Sequence, residues 1–331
     1  MTPSRRLLGG LDLGGTKIQA VLLDGRRQVL AEAKRPTPAR GGGQAVIDAL
    51  AATLAEVCTE AGAETSDLAG VGVGSPGAID AGRGVVSGAR NLPGGGAPIR
   101  VTEGLQELTG TPAYIDNDVT VGVHAEYELG AARSAKSLLG VWWGTGVGGG
   151  VILDGKKWEG RGAAGELGHV VVKMGGARCT CGRHGCLEAY AGRGAMELRA
   201  RHLHKRGHKT DLFKIMDKRG RTRLQSGIWA RALEKEDPMA VELIDRAIEA
   251  LGAGIASAVN LLDVSSVVIG GGLGTRLGEP YVARIREAMQ PHLFVDENPP
   301  AVALAELGDL GGAIGAALLV PRGSPSRRSQ R

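Results

Sequence analysis

The chain of 331 residues carries 40 Lys+Arg against 35 Asp+Glu, a net charge of +5, and its 55 glycines far outnumber its 4 Trp, 4 Tyr and 2 Phe. With 43% of residues apolar a core can form, which excludes a disordered chain, and the glycines keep no Gly-X-Y period, which excludes collagen. No apolar run approaches the ~18 residues that cross a bilayer, and the opening meets Asp12 and two glycine pairs before a signal-peptide core can form, so a cytoplasmic protein of two domains is expected.

In chain order, LLGGLDL (7–13) reads as an apolar strand, Gly14-Gly15-Thr16-Lys17 as a turn, and IQAVLLDG (18–25) as a second strand closed by Asp24-Gly25. A Walker loop or a dinucleotide fingerprint would place a helix after the glycines. This is instead a hairpin that presents backbone amides at its turn. QAVIDALAATLAEVCTEAG (44–62) sets Val46, Ile47, Leu50, Leu54, Val57 and Cys58 on one helical stripe, which makes Cys58 a core residue. Leu68–Val73 and Ala113–Ile115 read as strands, the second running into Asp116-Asn117-Asp118 before a helix from Val119. The stretch 201–223 holds nine Lys/Arg against two Asp. It lacks the aromatic interleaving of a stacking platform and reads as a solvated face, so no nucleic-acid partner is expected. Asp237-Pro238 opens a long helix through Leu262, with Asp at the N-cap and Pro at the first helical position. Residues 264–274 (VSSVVIGGGLG) read as a buried strand turning on glycines, and 308–320 as a helix of small residues.

The chain also repeats itself. A shift of 130 residues lays LDLGGTKIQAVLLDGRR (11–27) over VWWGTGVGGGVILDGKK (141–157), matching Gly14 to Gly144, Val21 to Val151, Leu23 to Leu153, Asp24 to Asp154 and Gly25 to Gly155. Two lobes of like topology, each opening with a glycine-turned hairpin, would present two such turns to one cleft.

Those turns suit phosphate, because a backbone without side chains can bring several amides close to oxygen atoms. Asp12 beside the first turn could hold Mg²⁺ through water, and Thr16 and Thr145 add hydroxyl donors. Asp118 has two readings: it caps the helix from Val119, or it serves as a general base for a hydroxyl acceptor. His169, Cys179, Cys181 and Cys186 offer one imidazole and three thiolates, the set that fills a tetrahedral Zn²⁺ shell and makes such an ion structural. Glu166 and Glu188 flank that loop and could accept hydrogen bonds from sugar hydroxyls. His184 would be a fifth ligand and is left out.

These motifs resemble the ROK family of sugar kinases and repressors, within the actin-like ATPase and hexokinase superfamily. DLGGTK (12–17) and GTGVGGG (144–150) resemble its two phosphate motifs, GELGH (165–169) with CTCGRHGCLE (179–188) its zinc and sugar signature, and VVIGGGL with GDLGGAIGAA its adenosine region. The resemblance runs from about residue 8 to 320. It implies an α/β fold of two lobes, an actin-like ATPase (ribonuclease H-like) architecture with a duplicated βαβ core and a central cleft. It would place a small lobe at 1–115 completed by helix 310–320, a larger lobe with the zinc loop at 116–309, and a disordered basic tail at 321–331.

Carried onto this chain, the resemblance implies that Asp118 is the catalytic base and that Asn117, Glu166, His169 and Glu188 bind sugar. Asn91 and the Ser75-Pro76-Gly77 turn would line the hexose pocket. Gly14, Gly15, Thr16, Lys17, Gly144, Thr145 and Gly146 would contact phosphates, and Gly271 and Gly272 the nucleoside side. The activity implied is ATP- and Mg²⁺-dependent phosphorylation of a hexose at the 6-hydroxyl, glucose first, feeding glycolysis, in a homodimer or homotetramer with structural Zn²⁺. Three positions depart from the usual family pattern: Asp116 stands where Glu is common, Thr120 where Asn is common, and Gly95 where Trp often follows the NLPG motif. That leaves N-acetylmannosamine, N-acetylglucosamine or fructose as other acceptors, and the basic 201–223 stretch leaves polyphosphate as another donor. A sugar-sensing repressor would need a helix-turn-helix, and only about nine residues precede the first strand.

Overall fold

The computed structural model describes residues 6–89 and 91–322, so the expected basic tail lies, from 323 onward, outside the described residues. Two compact units divide the chain: one runs to Glu126 and resumes at Asp309, and the other is Tyr127–Gly308.

In the first unit, strands β1 (Leu7–Leu13), β2 (Lys17–Leu23) and β3 (Val29–Pro36) precede helix α1 (Gly42–Glu60) and strand β4 (Leu68–Ser75). A small antiparallel sheet follows, β5 (Ala78–Asp80), β6 (Val85–Ser87) and β7 (Ile99–Arg100), then α2 (Val101–Thr109), β8 (Ala113–Asn117) and α3 (Asp118–Leu129). The main sheet is ordered β3-β2-β1-β4-β8; β2 and β3 are antiparallel additions, whereas β1, β4 and β8 are parallel. An almost wholly buried β1 suits the centre of such a sheet, where both faces are covered. Val46, Ile47, Leu50, Leu54, Val57 and Cys58 form the buried stripe of α1 in the core of this unit. Burial pushes the Cys58 thiol up to about 11, with Asp67 adding to the effect, as befits a packed cysteine.

The second unit repeats the plan. Strands β9 (Leu138–Trp143), β10 (Val147–Leu153) and β11 (Lys156–Lys157) lead through α4 (Glu188–Ala191), α5 (Arg193–Lys205), α6 (Leu212–Lys218), α7 (Ser226–Leu233) and α8 (Pro238–Leu262). Strand β12 (Ser266–Gly270), α9 (Gly271–Leu277), α10 (Glu279–Met289) and β13 (Ala301–Leu304) complete it, with the sheet ordered β11-β10-β9-β12-β13. Its hairpin arms are antiparallel and β9, β12 and β13 parallel, as in the first unit. The 130-residue repeat is thus a repeat of topology, with β1 and β9 ending at positions 13 and 143 and β2 and β10 starting at 17 and 147. The pairing differs by one residue: Leu13 faces Ile18, but Trp143 faces Val147, so the second turn is tighter. Helix α8 begins as its sequence dictates, the Asp237 carboxylate accepting from the Ala240 amide at 2.9 Å. The glycines after β12 do not turn the strand back as the sequence reading had it; they form the first turn of α9.

Helix α11 (Gly311–Ala317) returns to the first unit and lies on its sheet. Two strand glycines permit the close approach: a β-carbon at Gly10 would stand 2.0 Å from the Ala313 carbonyl oxygen, and one at Gly72 1.8 Å from that of Ala316. Gly315 lies as close to Val121 of α3. The start of α3 therefore belongs with the first unit, and the division falls within that helix and not at 116 as read from the sequence. Among the described residues no helix is long and apolar enough to cross a membrane.

Candidate active site

In the first unit the parallel strands β1, β4 and β8 end at one edge of the sheet, where α/β proteins place ligands. Their last residues and the loops that follow supply Asp12, the turn Gly14–Lys17, Ser75-Pro76-Gly77 and Asn117-Asp118. The Gly14 amide closes the turn on the Lys17 carbonyl at 2.9 Å, and Thr37 Oγ1 donates to the Gly14 carbonyl at 2.6 Å, leaving Gly15 and Thr16 exposed. Asn91 rests against Gly15, where a β-carbon would meet its Nδ2 at 2.9 Å. Ser75 is fully buried and pairs in register with Asn117, while Gly77 adopts a φ of 101° against the Ser87 carbonyl.

The two readings of Asp118 are separated by its neighbour. Asn117 Oδ1 accepts from the amides of Val119 at 3.0 Å and Thr120 at 3.2 Å, which is the N-cap role, and α3 starts at Asp118 itself. Asp118 contributes one oxygen to the Val119 amide at 2.9 Å and is not needed as the cap. Burial raises its carboxyl above the ordinary range, against the pull of the Val119 amide, its own amide and the Asn117 side chain. Asp12 is pushed up to about 6, by burial first and then by the charge of Asp118, with Lys17 opposing and Asp309 adding. The Lys17 ammonium donates to Gln19 Oε1 at 3.0 Å and to Asp309 Oδ2 at 3.3 Å. Asp12 and Asp309 thus share one ammonium, with the Asp118 carboxylate adding to the charge on Asp12, an excess of negative charge that suits a divalent cation. Gly312 of α11 closes over Asp12, its absent β-carbon leaving the room that the carboxyl fills.

The second unit builds its site around the turn Gly144-Thr145-Gly146. Gly144 lies near Gly272, whose amide would be 3.8 Å from a β-carbon at Gly144, and Gly271 holds a φ of 80° against the Trp143 backbone. Trp143 is fully buried, its Nε1 donating to the Ala191 carbonyl at 2.7 Å. Glu188 reaches into the same turn: Oε2 accepts from the Val147 amide at 3.0 Å, and Oε1 from Thr180 Oγ1 at 3.2 Å. A β-carbon at Gly146 would sit 2.2 Å from that Oε2, so a larger residue there would displace the Glu188 carboxylate. These residues open onto a cavity of about 1090 Å³ walled by Thr145, Gly146, Thr180, Glu188, Tyr190 and Arg246, among others.

His169, Cys179, Cys181 and Cys186 bring their ligand atoms within 4.8 Å of one another. Cys181 and Cys186 sulfurs are 3.7 Å apart, and His169 Nδ1 is 3.9 Å from Cys179 Sγ. The edge of a tetrahedron with ~2.3 Å metal–sulfur bonds is ~3.8 Å, so the set fits a single ion. An amide hydrogen bond from Arg183 lowers the Cys181 thiol, whereas burial raises that of Cys186. His169 Nε2 faces the exposed Glu166 at 3.8 Å.

Sequence reasoning missed three participants. Gln19 and Asp309 hold Lys17, and Arg193 donates from Nη2 to Thr145 Oγ1 at 2.6 Å. Asp309 stands within the GDLGGAIGAA motif without having been singled out, Asn117 was named for the sugar and not as the cap it forms, and the register of Gln19 opposite Asp12 could have been read from the hairpin.

A family model described as the ROK family matches residues 8–323. The chain belongs to the ROK family. The α/β architecture of this ROK chain, with its duplicated sheet, is that of the actin-like ATPase fold. A glucokinase of Thermotoga maritima is 31% identical over 96% of this chain and 98% of its own length. An N-acetylgalactosamine kinase of a Shewanella strain is 32% identical over 94% of this chain and 95% of its own. Among solved structures, a ROK family glucokinase from Streptomyces griseus in complex with glucose and AMPPNP superposes with a TM-score of 0.79 at 30% identity, covering 96% of this chain and all of that one.

Proposed function

We propose that this ROK protein transfers the terminal phosphoryl group of ATP to the 6-hydroxyl of a hexose, glucose first. One observation carries the reading: Asn117 takes the cap of α3 and leaves Asp118, a buried carboxylate of raised pKa, at the sheet edge beside Asp12 and the first glycine turn. A carboxylate so placed can take the proton of an attacking hydroxyl, an effect worth about 10² to 10⁴ in rate. The glucose and AMPPNP bound by the Streptomyces relative support both substrates.

In this reading the turns at Gly14–Lys17 and Gly144–Gly146 contact phosphate oxygens, and Gly271 and Gly272 the nucleoside side. Ser75, Pro76, Gly77, Asn91 and Asn117 of the first unit, and Glu166, His169 and Glu188 of the second, are the residues we assign to sugar binding; Asn117 has only its amide nitrogen left for it, since its oxygen is the cap. Asp12 would hold Mg²⁺ through water, and the ion would supply charge neutralisation at the phosphates. The four-ligand cluster would hold structural Zn²⁺, bracing the loop between His169 and Glu188. We place the protein in the cytoplasm as a homodimer or homotetramer, which light scattering tests.

Coupled ADP detection across glucose, fructose, mannose and N-acetylated amino sugars, with and without a chelator, tests the acceptor. Glucose is expected to give the highest kcat/KM. A preference for an acetylated amino sugar would favour a second reading, which the Shewanella relative and the small Gly95 after the NLPG motif support.

A further inference from the structure

We infer that Arg193 is a positioning residue of the second glycine turn, supplying the positive charge that the turn itself lacks and orienting the Thr145 hydroxyl toward a nucleotide phosphate. The inference rests on the reading of Gly144–Gly146 as a phosphate contact and deepens it. The first turn ends in Lys17, but the second runs Gly144-Thr145-Gly146-Val147 with no cation. The start of α5 is joined to this turn at three points, two of them through Arg193, its first residue. The Arg193 amide donates to the Gly144 carbonyl at 3.1 Å, the next amide, Gly194, donates to the Thr145 carbonyl at 2.9 Å, and Arg193 Nη2 donates to Thr145 Oγ1 at 2.6 Å. A hydroxyl oxygen that accepts from a guanidinium keeps its own proton for another acceptor.

The charge on Arg193 is ion-paired to no carboxylate among the described residues, although the charge of Glu197 lies close enough to act on it. Nη1 donates to the Leu224 carbonyl at 3.3 Å, and Nε is buried without a partner. The nearby Glu197 carboxylate is taken up by Arg201 at 2.7 Å, Arg223 at 3.1 Å and the Leu224 amide at 3.0 Å. A half-buried guanidinium without a paired anion is costly unless a ligand provides one. A phosphate seated on the turn would be that anion, and a planar guanidinium suits its oxygens.

The test compares the parent with Arg193→Gln, Arg193→Lys and Thr145→Val in titrations with AMPPNP and in steady-state kinetics. Arg193→Gln is expected to weaken AMPPNP binding and to lower kcat/KM for ATP by about 10²-fold, while KM for the hexose and the melting temperature stay near the parent's. Arg193→Lys should recover part of the loss, because the charge returns without the fork. The double variant R193Q/T145V should be little worse than R193Q alone, since the two side chains act as one unit. An Arg193→Gln protein that binds AMPPNP and turns over within threefold of the parent would overturn the inference. So would equal losses toward ATP and hexose with a lowered melting temperature, which mark a merely structural arginine. A parent that binds no AMPPNP contradicts the kinase reading itself and takes the inference with it.

Discussion

Asp12 and Asp118 share the edge of the first sheet, where burial makes both carboxyls harder to ionise and the charge of Asp118 adds to the effect on Asp12. For Asp12, moved from 3.8 to about 6, the folded chain binds the proton more tightly than the unfolded one. Stability is therefore present below pH 4 and is lost as pH rises from about 4 to about 6, by about 3 kcal/mol in the absence of divalent cations. Chemical denaturation across that range with EDTA present measures it, and Mg²⁺ should restore part of the loss. Asp12→Asn should raise stability at pH 8 by up to the same amount while activity falls. Removing the cap is a separate matter: Asn117→Ala should cost about 1 kcal/mol in a thermal melt. Asp118→Asn should leave glucose binding unchanged and the melt no lower than the parent's, since the cost of burying the charge is removed, and should lower kcat by about 10² to 10⁴. Near-parental kcat in that variant would return Asp118 to a purely local role.

Each hairpin owes its turn to glycine, and at this scale the sequence is most readable. The apolar runs, the Asp-Gly closures and the 130-residue offset all locate strands correctly, because alternation and turn chemistry are local properties. What escapes is whatever depends on a partner far along the chain. The second turn is one residue tighter and Glu188 accepts from its Val147 amide, and nothing in GTGVGGG announces either. Gly271-Gly272-Leu273-Gly274 has poor helix propensity and reads as a turn, yet it forms α9 because it packs against Trp143. Arg193 lies in no motif, and the contact of Asp309 with Lys17 is not announced by the motif that holds it; both become visible only once α5 and the segment before α11 are in place. The seating of α11 offers a direct check. Gly72→Ala must move that helix, since the new β-carbon would meet the Ala316 carbonyl at 1.8 Å. A loss of about 1 to 3 kcal/mol is expected, measured by urea unfolding.

For the whole molecule, one strand order used twice explains how a chain with so few aromatic residues builds two cores: each sheet buries its own aliphatic stripe, around Leu50 and Leu54 in one unit and around Trp143, Trp229 and α8 in the other. The duplication also gives each unit an amide-lined turn next to its central strand. The cysteine loop is held to that framework by Glu188 and Thr180, so loss of the proposed zinc should be felt at the proposed sugar ligands before it is felt by the fold. Elemental analysis is expected to find about one zinc per chain, and Cys186→Ser should raise KM for the hexose more than KM for ATP. Equal effects on both substrates would place the ion's influence elsewhere. The central claim is the transfer of phosphate from ATP to a sugar hydroxyl, and ³¹P NMR of a reaction with glucose, ATP and Mg²⁺ follows it directly. The expected result is a phosphomonoester resonance assigned to carbon 6, growing as ADP appears in equal amount; ADP and free phosphate in equal amounts with no sugar ester from any hexose would contradict it.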